Sequence, residues 1–336
     1  MDQAQVTPQR IMQFAWGYVP PLVIEAAIRN RVFDVLDSGA KTVQDVHKAT
    51  GASLRGLTAI MNVLAGLELL AKDGHGRFSL TPESAAFLVS TKPTFYGGMI
   101  RHGSEDLIPK WLDLSEIVAT GKPSRSVNEN ATAAEFFQKF VADLFPMNYA
   151  PAQALAQHLN LDGTGKPVRV LDLAAGSGVW GIALAQSSPS VRVGVVDLPE
   201  VIPVTRSIAE RFGLADRFSF IEGDLAQADF GANYSVATLG HILHSEGEQR
   251  SRALLAKTFA ALAPGGTIAI AEFLVNADRT GPLMGLFFAV NMLVNTENGD
   301  TYSFEEISKW LRDAGFTNPR TLDAPGPSPL ILGSKP

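Results

Sequence analysis

Val168-Arg-Val-Leu-Asp-Leu-Ala-Ala-Gly-Ser-Gly-Val-Trp-Gly181 is the stretch whose reading decides the fold. An apolar run reaches Asp172, breaks into Ala174, Ala175, Gly176, Ser177 and Gly178, and reopens as a helical pattern from Trp180 to Gln186. That is strand, tight turn, helix. A turn of such small residues lets a ligand approach the backbone, and the helix start behind it offers free N–H groups and a positive dipole end.

Gly176-x-Gly178-x-x-Gly181 also fits a dinucleotide-binding turn, and the next strand, Val191 to Asp197, ends in an acid about twenty residues on, suited to ribose hydroxyls. A nicotinamide-dependent dehydrogenase is therefore one reading. Asp172 before the small residues points elsewhere, as do two further strands with acids: Phe218-Ser-Phe-Ile-Glu-Gly-Asp224-Leu225, and Leu262-Ala-Pro-Gly-Gly-Thr-Ile-Ala-Ile-Ala-Glu272. With these in place, 168–336 resembles a class I S-adenosylmethionine-dependent methyltransferase, whose glycine motif reads E/D-x-G-x-G-x-G. Ala174 stands at the motif's first glycine and narrows the space for the methionine end of the ligand.

The 336 residues are enough for two domains, and 46% hydrophobic with 18% charged residues describes an ordinary folded enzyme. A net charge of −6 speaks against general affinity for nucleic acid or anionic membrane. No cysteine is present, which excludes disulfides, thiolate nucleophiles and zinc–cysteine sites. The start lacks a basic segment followed by an apolar run, and Pro282 to Val294 is too short to span a bilayer, so a cytoplasmic protein is expected.

Upstream, helical patterns run over Ile11 to Trp16 and Pro21 to Leu36. Thr42 to Thr50, a Gly-Ala-Ser turn, Leu54 to Leu70 and a small hairpin around Asp73-Gly-His-Gly-Arg then make a winged-helix pattern. Its would-be recognition helix carries Arg55 as its one cation, too little to neutralise phosphates. A dimerisation module, 1–100, is the expectation, followed by 101–336, with pocket helices at 101–160 and a Rossmann-like core at 161–336. This order resembles the O-methyltransferases acting on caffeate, flavonoids, hydroxyindoles and bacterial polyketides. The implied fold is α/β, a doubly wound seven-stranded class I methyltransferase domain behind a mainly α, winged-helix-like dimerisation domain. The implied partners are a second copy of the chain and a small aromatic or polyketide-like substrate, with Met12, Phe14, Trp16 or Tyr18 candidates to reach the partner's pocket. Aromatics at helical spacing, Phe136, Phe137, Phe140, Val141, Leu144 and Phe145, lead into Pro146-Met147.

The resemblance also implies roles for particular residues. S-adenosyl-L-methionine, with S-adenosyl-L-homocysteine as its product, is expected on Asp172, Ala174, Gly176, Asp197, Leu198, Asp224, Leu225 and Gly240. Two further departures from the family lie here: Ala226 replaces the usual Phe after Asp224-Leu225, and Gly240 falls near its lysine. His244, in Leu243-His244-Ser245-Glu246, matches the family's general base, although the following Asp-Trp is missing. Glu272 stands at the first supporting acid. Thr301 takes the place of the second, with Asp300 one residue away. Met147, Phe287, Phe288, Asn291, Met292 and Asn295 are expected over the substrate cavity, because apolar walls with a few amides suit a flat molecule.

Other readings remain open. His241 and His244 with Glu246 and Glu248 lack a convincing third and fourth ligand, so no metal is expected. The same fold could also serve C-methylation, hydroxylation or decarboxylation, or a winged-helix regulator that senses S-adenosylmethionine.

Overall fold

The computed structural model describes residues 6–124, 140–164 and 167–336. Phe136 and Phe137 of the aromatic run lie outside the described residues. Two compact units emerge, Met1–Pro109 and Lys110–Pro336.

In the first unit, α1 (Gln9–Ala15), α2 (Val19–Arg29), α3 (Val32–Leu36), α4 (Val43–Thr50) and α5 (Leu54–Gly66) precede a hairpin, β1 (Leu70–Lys72) and β2 (Phe78–Leu80). The helix expected from Pro21 to Leu36 is two helices, because Arg31 sits in the left-handed region at φ 57° and stops α2. Thr42 and Ser53 cap α4 and α5 through their side chains, as short polar residues before helices do. The core joins Ala27, Val32, Phe33 and Leu36 to Leu57, Met61, Leu64 and Phe78. One helical stretch, Gln9–Arg29, is long and apolar enough to cross a membrane by length and composition, which the sequence reading passed over. It is broken by a turn at 16–18, and Glu25 pairs with Arg29 on it. Its first half leaves Ile11, Phe14 and Trp16 exposed.

Short helices α6 (Pro82–Phe87), α7 (Gly97–His102), α8 (Ile108–Trp111) and α9 (Leu114–Thr120) follow, and α10 (Phe145–Leu159) leads into the sheet. The strands are β3 (Val168–Leu173), β4 (Val191–Asp197), β5 (Phe218–Glu222), β6 (Tyr234–Gly240), β7 (Leu262–Ala271), β8 (Thr317–Leu322) and β9 (Leu330–Ser334), ordered β5-β4-β3-β6-β7-β9-β8. The first five are parallel, and β9 lies antiparallel between β7 and β8. Alternate β3 residues feed two cores: Val168 and Val170 join one, Leu171 and Leu173 the other, as a sheet covered on both faces requires. The helices are α11 (Val179–Ser187), α12 (Ile202–Arg211), α13 (Leu243–Ala261), α14 (Leu283–Asn295) and α15 (Phe304–Asp313). Strand order reverses between β3 and β6, the switch point where open α/β sheets bind ligands.

Candidate active site

The turn after β3 is held from below by two acids. Asp172 is 0% exposed; its Oδ1 accepts from Thr238 Oγ1 at 2.7 Å and its Oδ2 from the Gly181 N–H at 2.9 Å. Both Asp172 oxygens are engaged, one on β6 and one on α11, so the side chain braces the turn between them. Burial raises its pKa to about 7 against the pull of those hydrogen bonds. Asp197, ending β4, accepts the Gly176 N–H and the Leu198 N–H, each at 2.7 Å, and burial lifts it to about 6. Ala174 is left-handed at φ 48°, where a side chain clashes with its own backbone. Its substitution for glycine therefore strains the chain as well as narrowing the turn.

Gly240 ends β6 against Trp180. A Cβ at 240 would stand 2.1 Å from the indole Nε1, so the indole occupies the room a side chain would need there. Asp224 is exposed; it accepts from the Ala226 N–H at 2.7 Å and faces Arg250 at 3.4 Å, while the Leu225 carbonyl accepts from Lys257 at 2.8 Å.

His244 and Glu272 come together as expected. Glu272 directly follows β7 and is 4% exposed; its Oε1 accepts the N–H groups of Leu243 at 2.6 Å and His244 at 3.3 Å, and its Oε2 meets His244 Nδ1 at 2.7 Å. Burial works against the carboxylate, but the charge and hydrogen bond of His244, with His241 and the Leu243 N–H, hold its pKa below the usual value. An ionised Glu272 only accepts, so the hydrogen bond is donated by Nδ1–H, and Nε2 is the ring nitrogen it leaves unengaged. Gly247, at φ 75°, kinks α13 one turn past His244.

Aromatic rings wall the imidazole. Phe288 meets it edge-on, centroids 4.8 Å apart, and stacks on Phe273 at 4.0 Å. Phe273 was missed in the sequence; the signal was an aromatic directly after a strand-end acid. His241, also left-handed at φ 59°, lies 5.0 Å from the Phe273 ring, and its Nε2 meets Asn148 Oδ1 at 3.0 Å. Burial depresses His241 to about 4, with Glu272 opposing and His244 adding to the shift. Asn148, next to part-buried Met147 on α10, thus ties that helix to the end of β6.

On α14, Phe288, Asn291, Met292 and Asn295 share one helical face. Asn291 Oδ1 accepts from Trp111 Nε1 at 3.2 Å and from Asn295 Nδ2 at 3.1 Å, and Asn295 Oδ1 accepts from Lys110 at 3.0 Å. Met292 and Asn295 are buried, whereas Phe287 is 55% exposed and stands off this face. Lys110 and Trp111, absent from the sequence reading, set these amides. Thr301 is buried on the Gly285 carbonyl, and Asp300 pairs with Arg279 at 3.4 Å while its N–H donates to the His244 carbonyl at 2.9 Å. Asp300 therefore meets His244 through backbone, not as a second carboxylate on the ring. Glu246 and Glu248 pair with Arg250 and Arg252.

The O-methyltransferase domain family matches residues 112–317, and the O-methyltransferase dimerisation domain matches residues 12–90. The chain is 29% identical over 337 residues to 3-hydroxy-5-methyl-1-naphthoate 3-O-methyltransferase of Streptomyces sahachiroi, spanning 98% of this chain and 95% of that one. It is 30% identical to acetylserotonin O-methyltransferase of Gallus gallus over 92% of each chain. The solved structure of PigF with SAH, a protein also found among the sequence relatives in Serratia, superposes with a TM-score of 0.84 at 25% identity, covering 98% of this chain and 100% of that one.

Proposed function

The chain belongs to the O-methyltransferase family, and from that premise we propose that it moves the methyl group of S-adenosyl-L-methionine to a hydroxyl of a small aromatic or polyketide-like molecule, with His244 as general base and no metal in the reaction. The observation that carries this reading is the 2.7 Å hydrogen bond between His244 Nδ1 and Glu272 beside the Phe273–Phe288 stack.

The donor set at the switch point suits the cofactor. Asp197 offers carboxylate lone pairs to ribose hydroxyls, Leu198 and Leu225 bring apolar surface for a flat base, and the Gly176 and Gly240 backbones allow close approach. Bound there, S-adenosylmethionine supplies an electrophilic methyl carbon. His244 Nε2 takes the acceptor's hydroxyl proton as the oxygen attacks, and Glu272 stabilises the resulting imidazolium and fixes its tautomer. The relatives whose names specify a naphthoate or acetylserotonin acceptor support a flat, ring-bearing substrate. The edge-on Phe288 and the amides of Asn291 and Asn295 suit such a ring, with Met147 on its face. A homodimer through the first unit accounts for the exposed Ile11, Phe14 and Trp16. The test is incubation with S-adenosylmethionine, a chelator and a panel of naphthols and hydroxyindoles: a mass gain of one methyl group, matched by S-adenosylhomocysteine, supports the reading, and no gain on any acceptor opposes it.

A further inference from the structure

The proposed reaction uses His244 and Glu272 but leaves a third, part-buried group, His241, beside them without a task. One ring nitrogen each of His241 and His244 and one carboxylate oxygen of Glu272 lie within 4.8 Å of one another. His241 Nδ1 is buried with no hydrogen-bond partner. We propose that His241, His244 and Glu272 form an inhibitory site for a divalent transition-metal ion, Zn²⁺ foremost, whose binding takes the imidazole that the reaction needs as its base.

The donor chemistry selects the ion. Two imidazoles and one carboxylate are a ligand set of zinc and its neighbours, whereas Mg²⁺ and Ca²⁺ call for oxygen shells. The His241 tautomer is already arranged for it, whereas Glu272 gives up a hydrogen bond it now accepts, the 2.7 Å one from His244 Nδ1, to take the ion. The Asn148 Oδ1 accepts at 3.0 Å from His241 Nε2, so that nitrogen bears the proton and Nδ1 is left as a bare lone pair. A ligating histidine whose second N–H donates to a carbonyl is the usual outer arrangement of a zinc site. Glu272 supplies negative charge, and its Oε1 is fixed by the two backbone N–H groups at the start of α13. A cation at the bare nitrogen also removes the penalty of a buried acceptor with no donor. Sequence spacing hid this set, because the third ligand comes from the residue directly after β7 and not from the nearby Glu246 or Glu248.

The test rests on the proposed activity only where it reads inhibition. Full-length protein, stripped with EDTA and then freed of it, is titrated with Zn²⁺ by calorimetry and with Co²⁺ by visible absorption. One Zn²⁺ per chain and an intense d–d band of a low-coordinate Co²⁺ site are expected. Asn148→Ala, which leaves all three ligands in place, is expected to weaken Zn²⁺ about 10–100-fold. His241→Gln is expected to remove the band. In the transfer assay, saturating Zn²⁺ slows wild type at least about tenfold, EDTA restores the rate, and His241→Gln is insensitive relative to its own metal-free rate, as loss of a required ligand demands. No stoichiometric Zn²⁺ binding, or a Co²⁺ band unchanged in both variants, overturns the metal site and leaves the methyl-transfer reading intact. A Co²⁺ band in a protein that methylates nothing does the reverse.

Discussion

Glu272 holds His244 at two points, accepting its ring Nδ1–H at 2.7 Å on one oxygen and its backbone N–H at 3.3 Å on the other. One carboxylate thus sets both the tautomer of the ring and the first turn of the helix that carries it, with Leu243 as a third donor.

Replacing Glu272 with Gln asks one amide oxygen to serve three donors. The turnover number should fall by about 10²–10⁴-fold, the range for a displaced general base, while affinity for S-adenosylhomocysteine changes little. Steady-state kinetics beside calorimetric titration checks this. Equal losses in both would mean that Glu272 shapes the cofactor site instead.

Burial of Asp172 has a pH signature. Its pKa is raised from an ordinary 3.8 to about 7, so the folded state keeps a proton that the unfolded chain loses. Its contribution is full below about pH 4 and is lost as pH rises through about 7. The stability of wild type relative to Asp172→Asn should therefore decline across that window, by an amount on the order of a few kcal/mol. Urea unfolding of both proteins between pH 4 and 8 measures it, and parallel curves would rule the titration out.

Trp180 and Gly240 form a second testable pair. Gly240→Ala forces a methyl into the indole and should destabilise by about 1–3 kcal/mol, the usual effect of overpacking. Trp180→Phe should recover part of that loss in the double variant, since the two residues share one volume. Thermal melts of the two single variants and the double variant give the coupling, and simple additivity would show that the clash is relieved elsewhere.

Ala174 occupies a conformation made for glycine. Ala174→Gly should relieve about 1 kcal/mol of left-handed strain and give back roughly half of it as unfolded-chain entropy. A small net gain in unfolding free energy is expected, and a clear loss would indicate that the methyl group packs usefully.

The strands were legible as apolar runs ending in acids, whereas the pairing of His244 with Glu272 came from the resemblance to the O-methyltransferase family. The winged-helix pattern was legible from capped helices around short turns. Residues whose task depends on another element were not. The bracing of the turn by Asp172 rests on Thr238 and Gly181, of which Thr238 is its neighbour only in space. Lys110 and Trp111 are distant in sequence from the amides they orient, and no spacing rule connects them. The break of α2 at Arg31 escaped the periodicity, since the apolar pattern continues through a residue whose backbone does not.

The claim on which the rest depends is that the His244 imidazole removes the acceptor's proton. The most direct measurement is single-turnover methyl transfer by His244→Ala against wild type, on an acceptor that wild type methylates, with EDTA present and S-adenosylmethionine saturating. The account predicts a rate at least about 10²-fold lower, partly regained as pH is raised toward the acceptor's own pKa, with unchanged affinity for S-adenosylhomocysteine. A His244→Ala protein that transfers the methyl group at the wild-type rate would contradict it.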